Sequence, residues 1–144
     1  MPTRRSSARW EGGLKGGKGT FNGESGAIQG QYNFTSRFEE GIGSNPEELL
    51  AAAEAACFSM ALSGALEKNG TMPTSVETQA ACTVEMIGGG PKISKMHLDV
   101  KAVVPGIDDA KFQELVQSTL KGCPVSKAFE GNLELTANAV LSTT

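Results

Sequence analysis

Residues Glu47–Leu66 read EELLAAAEAACFSMALSGAL. Just before them, Asn45 suits a helix N-cap and Pro46 suits the first helical position, while Glu47 and Glu48 fill the first turn. Asn69-Gly70 supplies the stop. Between these signals the stretch is apolar or alanine on nearly every side, the pattern of a helix surrounded by protein. Its alanines also permit close approach by another backbone. The rest of the chain must pack around this helix. Near its middle sits Cys57, which is either a small apolar filler or a reactive group.

Downstream, the period changes from helix to strand. In Val76–Met86 the even positions read Val76, Thr78, Ala80, Cys82, Val84 and Met86, and the odd positions are mostly polar. In Met96–Val104 the even positions are again apolar, and His97 shares the polar face with Lys95, Asp99 and Lys101. IGGGPK (residues 87–92) joins the two as a hairpin loop. PGIDDAKFQELVQSTLKG (residues 105–122) contains a second helix with Phe112, Leu115, Val116 and Leu120 as its stripe and Gly122 at its end. CPVSKAFEG (residues 123–131) suits one or two helical turns, and NLELTANAVL (residues 132–141) alternates as a last strand with Leu133, Leu135, Ala137 and Ala139 inward. Upstream, to about residue 44, the chain is glycine-rich with three β-like pieces, SARWEG, KGTFNG and YNFTSRF. The reading is α+β: mostly antiparallel sheets around a long central helix and a second helix. With 144 residues and no dividing linker, a single domain over 1–144 is expected.

Composition excludes several classes. The net charge of −3 offers no basic face for nucleic acid. No apolar run is expected to reach the roughly 20 residues of a membrane span, and the basic start MPTRRSSARWEGG lacks the apolar core of a signal peptide. A soluble, cytoplasmic protein is expected. Three cysteines, Cys57, Cys82 and Cys123, with His97 as the one histidine, do not make a disulfide scaffold or a zinc site at recognisable spacing. No metal and no bound cofactor are expected.

Core filler is the default for any free cysteine. Cys82, between Ala80 and Val84 on an apolar strand face, stays there. Cys123 is placed by GCPVS at a helix N-cap, where free amides and the helix dipole favour a thiolate. Cys57 lies about three turns inside its own helix and has no such help. A buried thiol there is raised in pKa and inert unless a cation approaches, and Arg37 in NFTSRFEE is the nearest candidate in sequence before the helix. Other roles remain open for its neighbours. Glu48 fits a capping box with Asn45. Glu54, one turn before Cys57, would oppose a thiolate as a carboxylate. Arg37 would otherwise pair with Glu39 or Glu40 at the surface.

The stretch TFNGESGAIQGQYNFTSRFEEGIGSNPEELLAAAEAACFSMAL, followed by VPGID and GCPVS, resembles the OsmC/Ohr family of thiol-dependent peroxidases, in particular its osmotically inducible OsmC branch, across essentially the whole chain. The resemblance implies reduction of organic hydroperoxides. It implies that Cys57 in AACFSM is the peroxidatic cysteine and Cys123 in GCPVS the resolving one, with Arg37 in SRFE and Glu47 in NPEEL as the partners that activate Cys57. It further implies an intertwined homodimer and recycling by an external dithiol, a lipoylated protein or a small dithiol. The chemistry agrees with the residue types. An arginine beside Cys57 would favour the thiolate and stabilise the departing oxygen, and a carboxylate would hold the guanidinium by a bidentate contact. Glu47 and Cys57 are ten residues apart on one predicted helix, about 15 Å along the axis, so either the helix breaks or the Glu47 serving Cys57 comes from a second subunit; the intertwined dimer that the resemblance implies fits the second, and a composite site is expected. Phe58, Met60, Leu62, Ile42 and Phe129 would favour an apolar substrate. Two other functions remain: a redox sensor or apolar-ligand-binding module using the same cysteine pair, and an acyl-transferase, which His97 is poorly placed to assist.

Overall fold

The computed structural model describes residues 1–144. The chain divides into two compact units, 1–49 and 50–144. The first holds an antiparallel meander of β1 (Ser6–Glu11), β2 (Lys18–Gly23) and β3 (Gln29–Tyr32). Its rings pack across the strands: Tyr32 lies 5.4 Å from Trp10 and 6.0 Å from Phe21, centroid to centroid. Glycine makes room for them. A Cβ on Gly19 would fall 2.6 Å from the Tyr32 ring and 2.7 Å from that of Trp10.

The third β-like piece, YNFTSRF, is a strand only up to Tyr32. Phe34–Phe38 forms a short helix, α1. A capping box explains the switch: the Asn33 side chain accepts from the Ser36 amide at 2.8 Å, and the Ser36 hydroxyl accepts from the Asn33 amide at 2.9 Å. Local side-chain bonds at Asn and Ser compete with ladder pairing, and here they start a helix that carries Arg37 in its last turn.

Helix α2 runs Pro46–Lys68. At its start Asn45 Oδ1 accepts from the Glu48 amide at 2.8 Å, while the Glu48 carboxylate takes a bond from the Ser44 hydroxyl at 3.1 Å. At its end Gly70 has φ +84°, and the Thr71 and Gly70 amides donate to Leu66 and Glu67 carbonyls at 3.0 and 2.9 Å. That is a Schellman stop, which requires the left-handed residue.

The second unit holds a three-stranded sheet, β4 (Ser75–Ile87), β5 (Gly90–Val103) and β6 (Glu134–Ser142), in the order β4-β5-β6. The β4–β5 hairpin is longer than the alternation alone indicates. Ile87 pairs with Gly90, which leaves Gly88 and Gly89 as a two-residue turn with φ +64° and +86°. Positive φ at both positions is what a type I′ turn requires. β6 runs parallel to β5, and the connection passes through α3 (Asp109–Gly122) and α4 (Pro124–Phe129), as a parallel pair needs a crossover.

The core of this unit joins α2, the sheet and α3. Phe58, Leu62 and Leu66 of α2 pack with Met96, Leu98, Val100 and Ala102 of β5 and with Phe112, Val116 and Leu120 of α3. The Ser59 hydroxyl donates to Thr78 Oγ1 at 2.8 Å, tying α2 to β4. Two expectations about α2 change. By length and composition it is long and apolar enough to cross a membrane, although Phe58, Leu62 and Leu66 serve the chain's own core. Nor is it covered on all sides within the chain: Ala52, Ala53, Ala56, Met60 and Gly64 are exposed.

Leu62→Ala is expected to cost about 2–5 kcal/mol in equilibrium unfolding, from lost transfer energy and the cavity left. Gly70→Ala, with open space around it but a left-handed backbone, should cost about 1 kcal/mol.

Candidate active site

Cys57 and Cys123 are 66 residues apart in the chain, yet the Cys123 thiol donates to Cys57 Sγ at 2.7 Å. Both are free thiols. Cys57 is half-buried, and Cys123 is 1% exposed. The local reason is a chain corner. Cys123 ends α3, with its amide donating to the Thr119 carbonyl at 2.8 Å, and it also opens α4, with Pro124 at the first position. The backbone is extended there, at φ −60° and ψ 129°, which turns the sulfur toward α2.

The helix-start amides act differently from the sequence expectation. The Cys123 side chain makes no cap bond to α4. Instead the backbone amide of Val125, in the first turn of α4, bonds to Cys57. Help from a helix start therefore reaches the cysteine that was expected to have none. It does not prevail. Burial pushes the Cys57 thiol above its ordinary value, and the Cys123 thiol and the nearby Glu54 push the same way against the Val125 amide. None of the groups acting on Cys57 within the chain is a cation.

Glu54 lies one turn before Cys57 and is completely buried. Its Oε1 accepts from the Ser126 hydroxyl at 2.5 Å, and its Oε2 has no partner. Burial raises its pKa, with the Ser126 bond opposing.

Arg37 and Glu47 form a pair in the N-terminal unit. Arg37 Nε lies 3.2 and 3.3 Å from Glu47 Oε1 and Oε2, and Nη2 lies 3.0 Å from Oε1. Glu47 is 6% exposed, whereas over a third of the Arg37 side chain faces solvent. The guanidinium therefore takes Glu47 as its partner rather than Glu39 or Glu40, and it also lies 5.1 Å from the Phe38 ring centre. Beside it is a cleft of about 260 Å³ walled by Trp10, Leu14, Tyr32, Phe34 and Phe38.

Other candidates separate from the chemistry. Phe58 and Leu62 are fully buried in the core and line no opening, while Ile42 and Met60 are highly exposed. Cys82 faces Met96 across the hairpin and packs half-buried against the core. His97 is engaged by Thr136 at 2.6 Å and Asp99 at 3.4 Å on the outer face of the sheet. Sequence reading did not find Ser126, the Val125 amide or the aromatic cleft. The one available signal was the matched one-turn spacing of Glu54 to Cys57 and Cys123 to Ser126.

Residues 39–138 match the model of the OsmC-like protein family. Over 133 residues the chain is 44% identical to Peroxiredoxin OsmC of Escherichia coli (strain K12), covering 92% of this chain and 93% of that one. It is 36% identical over 97 residues to an organic hydroperoxide resistance protein of Xanthomonas axonopodis pv. citri (strain 306), covering 67% and 66% of the two chains. The fold superposes on the crystal structure of the Organic Hydroperoxide Resistance Protein OhrB of Bacillus subtilis with a TM-score of 0.73 and 29% identity, covering 96% of this chain and 98% of that one. The architecture is thus the OsmC/Ohr α+β fold. The chain belongs to the OsmC-like protein family.

A double-mutant cycle on Arg37→Ala and Glu47→Ala should give a coupling of about 1–2 kcal/mol in unfolding, since a charge-assisted bidentate contact meets a buried carboxylate. Additivity within error would show the pair to be a surface contact only.

Proposed function

We propose that this protein is a thiol-dependent peroxidase that reduces organic hydroperoxides to alcohols. The observation that carries the reading is the 2.7 Å approach of the Cys57 and Cys123 sulfurs. A disulfide needs about 2.05 Å, so the pair can close with a small movement. The names of the E. coli and Xanthomonas relatives support the same class of activity.

The Cys57 thiolate attacks the terminal hydroperoxide oxygen. The O–O bond breaks, hydroxyl oxygen stays on sulfur as a sulfenic acid, and the alkoxide leaves as alcohol after taking a proton. The Cys123 thiol then condenses with the sulfenic acid, releasing water and forming the Cys57–Cys123 disulfide. An external dithiol, lipoyl-type or small, reopens it by exchange and is itself oxidised to a disulfide. No bound cofactor takes part.

The raised pKa of the Cys57 thiol calls for a cation, and Arg37, oriented by Glu47, is the residue proposed to supply it. Ten helical residues separate Glu47 from Cys57, about 15 Å of axial rise, so the Arg37–Glu47 clamp serves the Cys57 of a second subunit. The exposed small residues of α2, Ala52, Ala53, Ala56 and Gly64, support a homodimer that buries this face. The aromatic cleft beside Arg37 suits the organic part of the hydroperoxide. The protein acts as one domain over 1–144, in the cytoplasm, where thiols are kept reduced.

One equivalent of cumene hydroperoxide on the reduced protein should remove two hydrogens and yield a Cys57–Cys123 linked peptide by mass spectrometry. Unchanged mass, or oxygen only on methionine or Cys82, would refute the peroxidase. Many turnovers with dihydrolipoamide are expected, and a single stoichiometric oxidation would mean a redox sensor instead.

Arg37→Ala should lower the rate of Cys57 oxidation about 10²–10³-fold, the usual cost of one charge-stabilising group. Co-expressed Cys57→Ser and Arg37→Ala chains should regain activity that neither has alone, because mixed dimers rebuild one composite site. No regain would refute the composite site.

A further inference from the structure

Helix α4 has six residues, too short to hold itself by its own backbone bonds. Three of its N-terminal positions bond to α2. Cys123 donates through Sγ to Cys57, the Val125 amide bonds to Cys57, and the Ser126 hydroxyl donates to Glu54. The two rungs have matched spacing: Glu54 precedes Cys57 by one turn, and Ser126 follows Cys123 by one turn.

These three bonds do not survive oxidation equally. Two of them end on the Cys57 sulfur. When that sulfur gains an oxygen, its size, charge and acceptor positions change, and both bonds must rearrange. The Ser126–Glu54 bond does not involve that sulfur. Glu54 and Ser126 are buried to 0% and 1% exposure, so water does not compete for the bond. Glu54 Oε2 is buried without a partner. The contact of Oε1 with Ser126 is therefore the one hydrogen bond that holds this buried side chain in place.

Building on the peroxidase reading, we infer that Glu54 is a positioning residue: through Ser126 it latches α4 to α2 while Cys57 is a sulfenic acid, and so keeps Cys123 within reach for disulfide closure. In that step the Cys123 sulfur bonds to the Cys57 sulfur, the S–OH bond breaks, and the hydroxyl leaves as water with the proton lost from Cys123. The competing fate is a second hydroperoxide molecule, which oxidises the waiting sulfenic acid to the irreversible sulfinic acid and is reduced to alcohol. The latch therefore sets the partition between closure and over-oxidation.

The test uses full-length Glu54→Ala, Ser126→Ala and Glu54→Gln, with cumene hydroperoxide at rising dose. Sulfenic acid is trapped with dimedone, and disulfide and sulfinic acid are counted by peptide mass spectrometry. Disulfide closure should slow about tenfold in Glu54→Ala and Ser126→Ala, the equivalent of one net hydrogen bond. Sulfinic acid at Cys57 should rise at the same dose, counted per sulfenic acid formed. Glu54→Gln, of the same shape and with an amide oxygen to accept from Ser126, should close like the wild type. Ser126→Ala removes only a hydroxyl and keeps the test alive if Glu54→Ala does not fold. Wild-type partition in both alanine variants, or slow closure in Glu54→Gln, overturns the latch while the peroxidase stands. No disulfide in the wild type itself overturns the peroxidase and the latch with it.

Discussion

Burial of the α2 stripe decides where everything else in the C-terminal unit can go. Glu54, Phe58, Leu62 and Leu66 recur every four residues and are all buried. Three of them belong to the apolar core shared with β5 and α3. At about 1.5–3 kcal/mol for each large apolar side chain, that contact sets the rotation of α2 about its axis. The rotation in turn fixes the neighbouring position, Cys57, at the edge of the core, half-buried and facing the corner between α3 and α4. Each part of the cysteine pair depends on it. Without that anchored helix, Cys123 would have no sulfur opposite it.

The same burial creates the chemical problem of the site. Water is the best stabiliser of a thiolate, and packing has removed part of it from Cys57. Within the chain the compensation is one backbone amide from Val125, set against a thiol and a buried acid. A protein that needs a thiolate must bring positive charge to it, and the one arginine held in a fixed orientation by a buried carboxylate is Arg37. Glu47 has a double part here. In the first turn of α2 it complements the helix dipole, and it also fixes the guanidinium by two nitrogens. A lysine at position 37 would keep the charge and lose the fork.

Much of the fold was readable because period and punctuation agreed. The alternation in β4 and β5, the stripe of α3, the Asn45-Pro46 start and the Asn69-Gly70 stop of α2 are local signals with local causes, and the structure contains each. The misreading at YNFTSRF has a cause of the same kind. Aromatic and threonine residues favour strands, but the Asn33–Ser36 capping box is a stronger local commitment. The parallel placement of β6 beside β5 was not readable, because alternation gives the face of a strand and not its neighbour or direction.

The site divides along the same line. Residue chemistry and motif resemblance singled out Cys57, Cys123, Arg37 and Glu47, because a thiol, a second thiol, a guanidinium and a carboxylate carry their reactivity wherever they are placed. Which of them touch was a matter of tertiary structure. Only folding brings together sulfurs separated by 66 residues, gives the Val125 amide to Cys57 rather than Cys123, and buries Glu54 against Ser126. The amino-acid sequence by itself determined the elements and the reactive groups, since both follow from interactions spanning a few residues. The tertiary structure decided partners, burial and hence acidity, since these depend on distances between residues far apart in the chain.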